Sequence, residues 1–138
     1  MAVDTFNMIP HGTVITGSGA TAPGIPIAQG SMLEIDIDVT AQTGITAMSA
    51  YVEASNDGGA KWYVEPATLI CKDNRHITPA AAEGTQRQNA PNIINNESTS
   101  AVVARWTAIY ANFPGEQFRL RHFFTGTNLT WGVDGAIK

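Results

Sequence analysis

The chain has 138 residues, with 8 Lys and Arg, 12 Asp and Glu, 3 His and one Cys, for a formal charge of −4. That length suits one domain folding around its own core without a disulfide or metal, and Cys71 has no partner for an intrachain bridge. An acidic chain with no basic block argues against nucleic acid as a partner; no apolar run approaches the ~20 residues of a bilayer span, and no basic-then-apolar leader opens the sequence.

Residues 1–31 are rich in Gly and Pro, at a spacing no helix tolerates. Between Thr5 and Leu33 there is no charged side chain, yet Phe6, Met8, Ile9, Val14, Ile15, Ile25 and Ile27 supply apolar surface. Disordered tails are usually polar and charged, so this segment is expected to lie on its own domain or on a neighbour. It reads either as a first β-hairpin, turning at 17–20, or as an extended arm that grips a partner. An arm whose distal part joins the sheet fits slightly better.

From Leu33 to Thr40, Leu33, Ile35, Ile37 and Val39 alternate with Glu34, Asp36, Asp38 and Thr40. Period 2 without a break predicts a strand with one dry face and one wet face, as in an antiparallel sheet. Gly44 marks a turn, and 46–54 returns with Met48, Ala50 and Val52 on one face and Ser49, Tyr51 and Glu53 on the other. Ser55-Asn56-Asp57-Gly58-Gly59 is a tight-turn signal, since Asn and Gly take the positive φ that hairpins need. Strands are expected at 61–65, with Trp62 and Val64 on one face, and at 68–72, with Cys71 as a buried thiol.

Residues 73–100 are polar, with Pro79, Pro91 and five Asn, and read as a long contact loop. Residues 101–112 fit a helical stripe or a strand; their aromatic and β-branched content favours a strand. Alternation resumes over 118–124, with Phe118, Leu120, His122 and Phe124 against Arg119, Arg121 and Phe123. A turn at 125–128 leads to a last strand through Leu129, Trp131 and Val133. The fold expected is all-β: one antiparallel β-sandwich over 32–138, Ig-like or jelly-roll-like, preceded by the arm of residues 1–31.

Ser55, Asp57, Gly59 and Trp62 resemble the Asp-box, a β-hairpin signature of sialidase propellers and other β-proteins. Lys61 stands where that motif usually has Thr, so the match is partial. The box is structural in those families and lies away from their active sites, and one copy cannot build a propeller. Ser55, Asp57, Gly58, Gly59 and Trp62 are therefore assigned to holding the hairpin.

The longer pattern is the alternating strand at 32–44, a strand ending Tyr51-Val52-Glu53-Ala54-Ser55-Asn56-Asp57-Gly58-Gly59-Ala60-Lys61-Trp62-Tyr63, then Phe118-Arg119-Leu120-Arg121 and a final hairpin. It resembles small virion proteins of tailed bacteriophages, the β-sandwich head decoration (cement) proteins. The resemblance covers 32–65 and 116–134. It implies a structural virion protein on the capsid surface, made in the host cytoplasm, with the major capsid protein as partner. It also implies a homo-oligomer, a trimer being favoured.

No constellation in the sequence selects a reaction, so no enzyme, cofactor or metal is expected. His11, His76 and His122 lack metal-ligand spacing. Ser98 and Ser100 lie in no nucleophile elbow. Glu34, Asp36 and Asp38 fit an exposed acidic row better than a Ca²⁺ loop. Arg119 and Arg121 repeat the same spacing; the two rows would pair if their strands were neighbours, and otherwise each is open to a charged partner. The tryptophans are expected in core and sheet packing, whereas Tyr51 and Tyr63 fall on polar faces. Partner contact is assigned to Phe6, Met8, Ile9, Val14, Ile15, Tyr51, Tyr63, Arg119 and Arg121. The alternative reading is a carbohydrate-binding module, possibly of a phage tail or fibre, in which the two tyrosines stack on sugars.

Overall fold

Unbroken alternation over 33–39 gives one strand a dry face, and the molecule is built to cover it. The computed structural model describes residues 4–21, 24–73 and 85–138. Its strands are β1 (Asp4–Ile15), β2 (Gly19–Ala20), β3 (Ile25–Pro26), β4 (Leu33–Thr43), β5 (Ala47–Ser55), β6 (Tyr63–Val64), β7 (Ala67–Asp73), β8 (Thr85–Ala90), β9 (Asn92–Glu97), β10 (Arg105–Tyr110), β11 (Gln117–Thr125) and β12 (Asn128–Ile137). Sheet A runs β1-β12-β4-β10-β7-β8, and sheet B runs β2-β11-β5-β6, with β3 also on β11 and β9 also on β5. Every described pairing is antiparallel. The chain is therefore an all-β, antiparallel sandwich.

The core is the set of alternate residues that face inward. Leu33, Ile35, Ile37 and Val39 of β4 and Trp131 and Val133 of β12 are buried in sheet A. Met48, Ala50, Val52 and Ala54 of β5 and Phe118 and Leu120 of β11 are buried in sheet B. Trp106 and Trp131 lie in this core, as does the Phe113–Phe118 edge contact, with ring centroids 6.0 Å apart. Packing of this kind makes each large side chain worth several kcal/mol, about 3–5 for truncating a Trp.

The amino-terminal segment is extended and forms the edge of sheet A, where β1 pairs with β12 and not with β2 or β3. Gly135 makes room for this pairing. It sits opposite Phe6, whose ring covers the bare backbone, and a Cβ there would collide with that ring. Phe6 then reaches Phe118 across the sandwich at 5.7 Å between centroids. Phe6, Met8, Ile9 and Ile15 all pack against the core, leaving Val14 56% exposed. The register slips between Asn7 and Thr13, around Pro10 and Gly12. A proline and a left-handed glycine (φ +87°) blunt this edge against further strand pairing.

Three expectations need correction. The loop expected at 73–100 contains β8 and β9, followed by a short 3-10 turn at Thr99–Val102; residues 74–84, with His76 and Pro79, lie outside the described residues. Gln86, Gln88 and Asn89 of β8 are exposed, whereas Ile93 and Ile94 of β9 are buried, and Arg87 Nη2 donates to the Ile93 carbonyl at 2.6 Å, tying one strand to the other. The strand expected over 61–65 shrinks to Tyr63–Val64, with Val64 41% exposed rather than sharing a packed face with Trp62. Cys71 is half-buried on the outer side of β7, opposite Thr107, not enclosed. The ambiguous stretch at 101–112 is a strand over β10, paired with β4 and β7.

Candidate functional site

The hairpin after β5 is closed by its own side chains. Ser55 Oγ donates to Asp57 Oδ1 at 2.9 Å and accepts from the Gly59 N–H at 3.0 Å. Asp57 Oδ1 also accepts from the Lys61 N–H at 2.9 Å. These bonds, the Lys61 amide first, hold the Asp57 carboxyl below its ordinary range. Gly58 and Gly59 take positive φ, as the tight turn requires. Trp62 Nε1 donates to the Gly59 carbonyl at 2.9 Å, which lays the indole along the outer face of sheet B.

That face is the candidate site. Arg119 and Arg121 leave β11 on its outer side, opposite Glu53 and Tyr51 of β5. Both arginines donate from Nε to the same oxygen, Glu53 Oε1, at 2.8 and 2.9 Å. Glu53 is only 7% exposed, so two guanidinium groups take the place of water around its carboxylate. Its bond to Arg121 in turn strengthens that group's hold on its proton. The Arg119 guanidinium stacks on Trp62, 4.2 Å from the ring centre, and Arg121 leans over Phe123 at 5.7 Å. Tyr51 and Phe123 are neighbours at 6.0 Å. Phe123 is 45% exposed and Tyr63 40%; Asn56 Nδ2 donates to the Tyr63 hydroxyl at 3.0 Å and fixes it. The result is a rigid patch of arginine and aromatic surface.

The outer face of sheet A has the opposite character. Glu34, Asp36 and Asp38 stand in a row on β4, and Asp134 of β12 lies directly opposite Asp36. Thr107 donates to Asp36 at 2.8 Å, and Asn7 donates to Asp134 at 2.8 Å. His11 Nε2 meets the other Asp134 oxygen at 2.6 Å. The Asn7 bond, then His11, holds Asp134 below its ordinary range, whereas burial and the neighbouring Asp36 push Glu34 up. Arg105 pairs in register with Asp38, and Lys138 lies near Glu34. No group of three or more His, Cys, Asp or Glu suited to a metal ion occurs among the described residues.

The structure separates the two rows that the sequence left free to pair. Glu34, Asp36 and Asp38 are on sheet A and Arg119 and Arg121 on sheet B, so the arginines find Glu53 instead. Sequence reasoning missed Glu53 as their partner. Its only signal was a lone acid on the wet face of 46–54, and the register linking it to residue 119 is not written locally. His122 is buried between the sheets, with Nε2 3.1 Å from the Gly17 carbonyl and its ring edge-on to Trp131 at 5.0 Å. Burial lowers its proton affinity. No described helix is long and apolar enough to cross a membrane.

No protein-family model and no curated protein matches the sequence. Among solved structures, the chain is similar to the SPBc2 prophage-derived protein YomS, at 10% identity and a TM-score of 0.45, with 99% of this chain and 92% of that chain covered. It is similar to the infectious bursal disease virus VP2 subviral particle, at 13% identity and a TM-score of 0.40, spanning 99% of this chain but 31% of that one. A third likeness is to the CBM22-1 xylan-binding domain of Paenibacillus barcinonensis Xyn10C, at 10% identity and a TM-score of 0.36, covering 97% and 91%. At these scores none of the three assigns a function to this chain.

Proposed function

We propose that the chain is a structural virion protein that binds the outside of a tailed-phage head and stabilises it, as the sequence resemblance of 32–65 and 116–134 implies. The observation that supports this reading is the outer face of sheet B, where Trp62, Tyr51, Phe123, Arg119 and Arg121 lie together. Aromatic residues and Arg are the types enriched at protein interfaces and their hot spots. Glu53, Trp62 and Asn56 hold several of them in place beforehand, so little side-chain freedom is lost on contact. A chain with 14% charged residues, against about 25% in an average soluble domain, also has a surface that is cheap to desolvate. The mechanism is additive burial: each contact of about 1,000 Å² with the major capsid protein adds to the barrier against rupture. The proposal assigns no reaction and no cofactor to the chain.

The test is co-sedimentation of the purified protein with phage heads that lack it, followed by heating the loaded heads. Saturable binding and a higher rupture temperature are expected. Phe123→Asp, at an exposed position, should weaken binding at least ~tenfold while the sandwich still folds. A folded protein that leaves heads unbound removes the reading. The exposed, fixed ring of Tyr63 favours a second reading, glycan stacking. That reading requires a measurable glycan affinity that Tyr63→Ala lowers. Against it, one face of Trp62 is already covered by Arg119, and Tyr51 leans on Phe123.

A further inference from the structure

We infer that the outer face of sheet B docks against the outer face of sheet A of a second copy, with Arg119 and Arg121 of one chain meeting Glu34 and Asp36 of the next. The inference rests on reading sheet B's outer face as a contact face: a second copy covers it in the free protein and gives way to the capsid on the head.

Charge complementarity is the first argument. The chain carries −4 overall, and residues 1–60 hold six acids and no Lys or Arg. Three of those acids, with Asp73 and Asp134, fall on one sheet face, against Arg105 and the rim residue Lys138. The opposite face presents two guanidinium groups over a single carboxylate. The second argument is spacing. Glu34 and Asp36 are alternate residues of β4, and Arg119 and Arg121 are alternate residues of β11. Both rows therefore repeat at about 6.5–7 Å, and two arginines can meet two carboxylates without either strand bending.

Orientation is the third argument. Each arginine uses Nε on Glu53, so both guanidinium groups are held in place beside one another by a shared carboxylate oxygen. On the acidic side, Glu34 and Asp36 stand two residues apart on one face of β4, and burial first and Asp36 second raise the proton affinity of Glu34. A cationic partner offsets the like charge of the two. Phe123 and Val64, exposed beside the arginines, contribute the apolar part of the contact. The two patches differ and lie on opposite sides of one sandwich. The contact is thus head-to-tail, closing into a ring where successive copies rotate back on themselves and running on as a stack where they do not.

The experiment is the solution mass by light scattering, at rising concentration, in low salt and in about 1 M salt, where charges more than ~3 Å apart are screened. The wild type should exceed 14.7 kDa in low salt and return to it in high salt. The double variant Glu34→Lys, Asp36→Lys loses one patch. Arg121→Glu loses the other, with Arg119 left to satisfy Glu53. Each alone should remain at one chain's mass, and a mixture of the two should associate again, because each retains the patch the other lacks. Circular dichroism checks folding. Should a charge-reversed variant fail to fold, the neutral set Glu34→Gln, Asp36→Asn and Arg121→Gln replaces it, with association expected to weaken at least ~tenfold.

A wild type that stays monomeric throughout overturns the inference. So does an oligomer that both variants still form, or a mixture that does not pair. Copies that associate but leave heads unbound would remove the virion reading and keep this contact. Heads decorated by a protein monomeric at every salt would do the reverse.

Discussion

The two outer faces of the sandwich begin from the same sequence device and end differently. On β4 and on β11, like charges sit two residues apart on a wet face. The arginines of β11 converge on Glu53, a nearly buried carboxylate from the adjacent strand, and become a fixed surface. On β4, Asp36 has Asp134, a further acid, as its cross-strand neighbour and takes a hydrogen bond from Thr107, whereas Asp38 lies opposite Arg105; Asn7 and His11 bind Asp134 in turn. Alternation assigns a residue to a face; the residue across the strand decides whether its charge is compensated.

The sharpest way to break this contrast is to empty the arginine pair. Arg119→Ala with Arg121→Ala leaves Glu53 buried without a cation and should cost about 3–5 kcal/mol of unfolding free energy in urea. Either single variant should cost much less, since the other arginine remains. Equal losses from the single and double variants would show that Glu53 is not shared.

Next in size is Gly135→Val, beneath the acidic face. The new side chain meets the Phe6 ring, so stability should fall by about 1–3 kcal/mol. Hydrogen exchange should show β1 loosened before β5 and β11. Uniform loosening would mean that β1 is not held through this socket.

A smaller effect belongs to His122. Its folded proton affinity lies below the ordinary value, so the unfolded chain takes up the proton first. The stability contributed by the neutral ring is complete above about pH 6.5 and is lost as pH falls through the lower folded value. Urea midpoints should therefore decline into acid in the wild type and decline less in His122→Phe. Parallel profiles would exclude this ring as the cause. The smallest change is expected from Glu34→Gln. Glu34 is raised, so its ionised form is disfavoured in the folded chain above its ordinary pKa. The variant should be neutral to slightly stabilising near pH 7, and a clear loss there would show that Glu34 makes a net favourable contact.

The sequence made β4 legible because every second residue is apolar and every intervening one is charged or Thr. It made the 55–62 hairpin legible because Ser55, Asp57 and the glycines satisfy one another within seven residues. It hid β8 and β9. Gln86, Arg87, Gln88 and Asn89 give no apolar period, and Ile93 and Ile94 are both buried although adjacent, next to shifts in register against β5. Asn89 and Asn96 take positive φ there, which a run of asparagines permits but does not announce. The candidate site was half legible: Tyr51, Tyr63, Arg119 and Arg121 were visible as wet-face residues, but Glu53 and Phe123 complete the patch only through the β5–β11 register.

The pairing of β1 with β12 also sets a timetable. Asp4 lies against Ile137, so β1 is synthesised long before the strand it pairs with exists. Contacts this distant in sequence slow folding. During that interval Phe6, Ile9 and Ile15 are without their core, and the nascent strand is open to pairing with another chain. Pro10 and Gly12, which interrupt its hydrogen-bonding edge, then act as a safeguard during synthesis as much as in the finished protein.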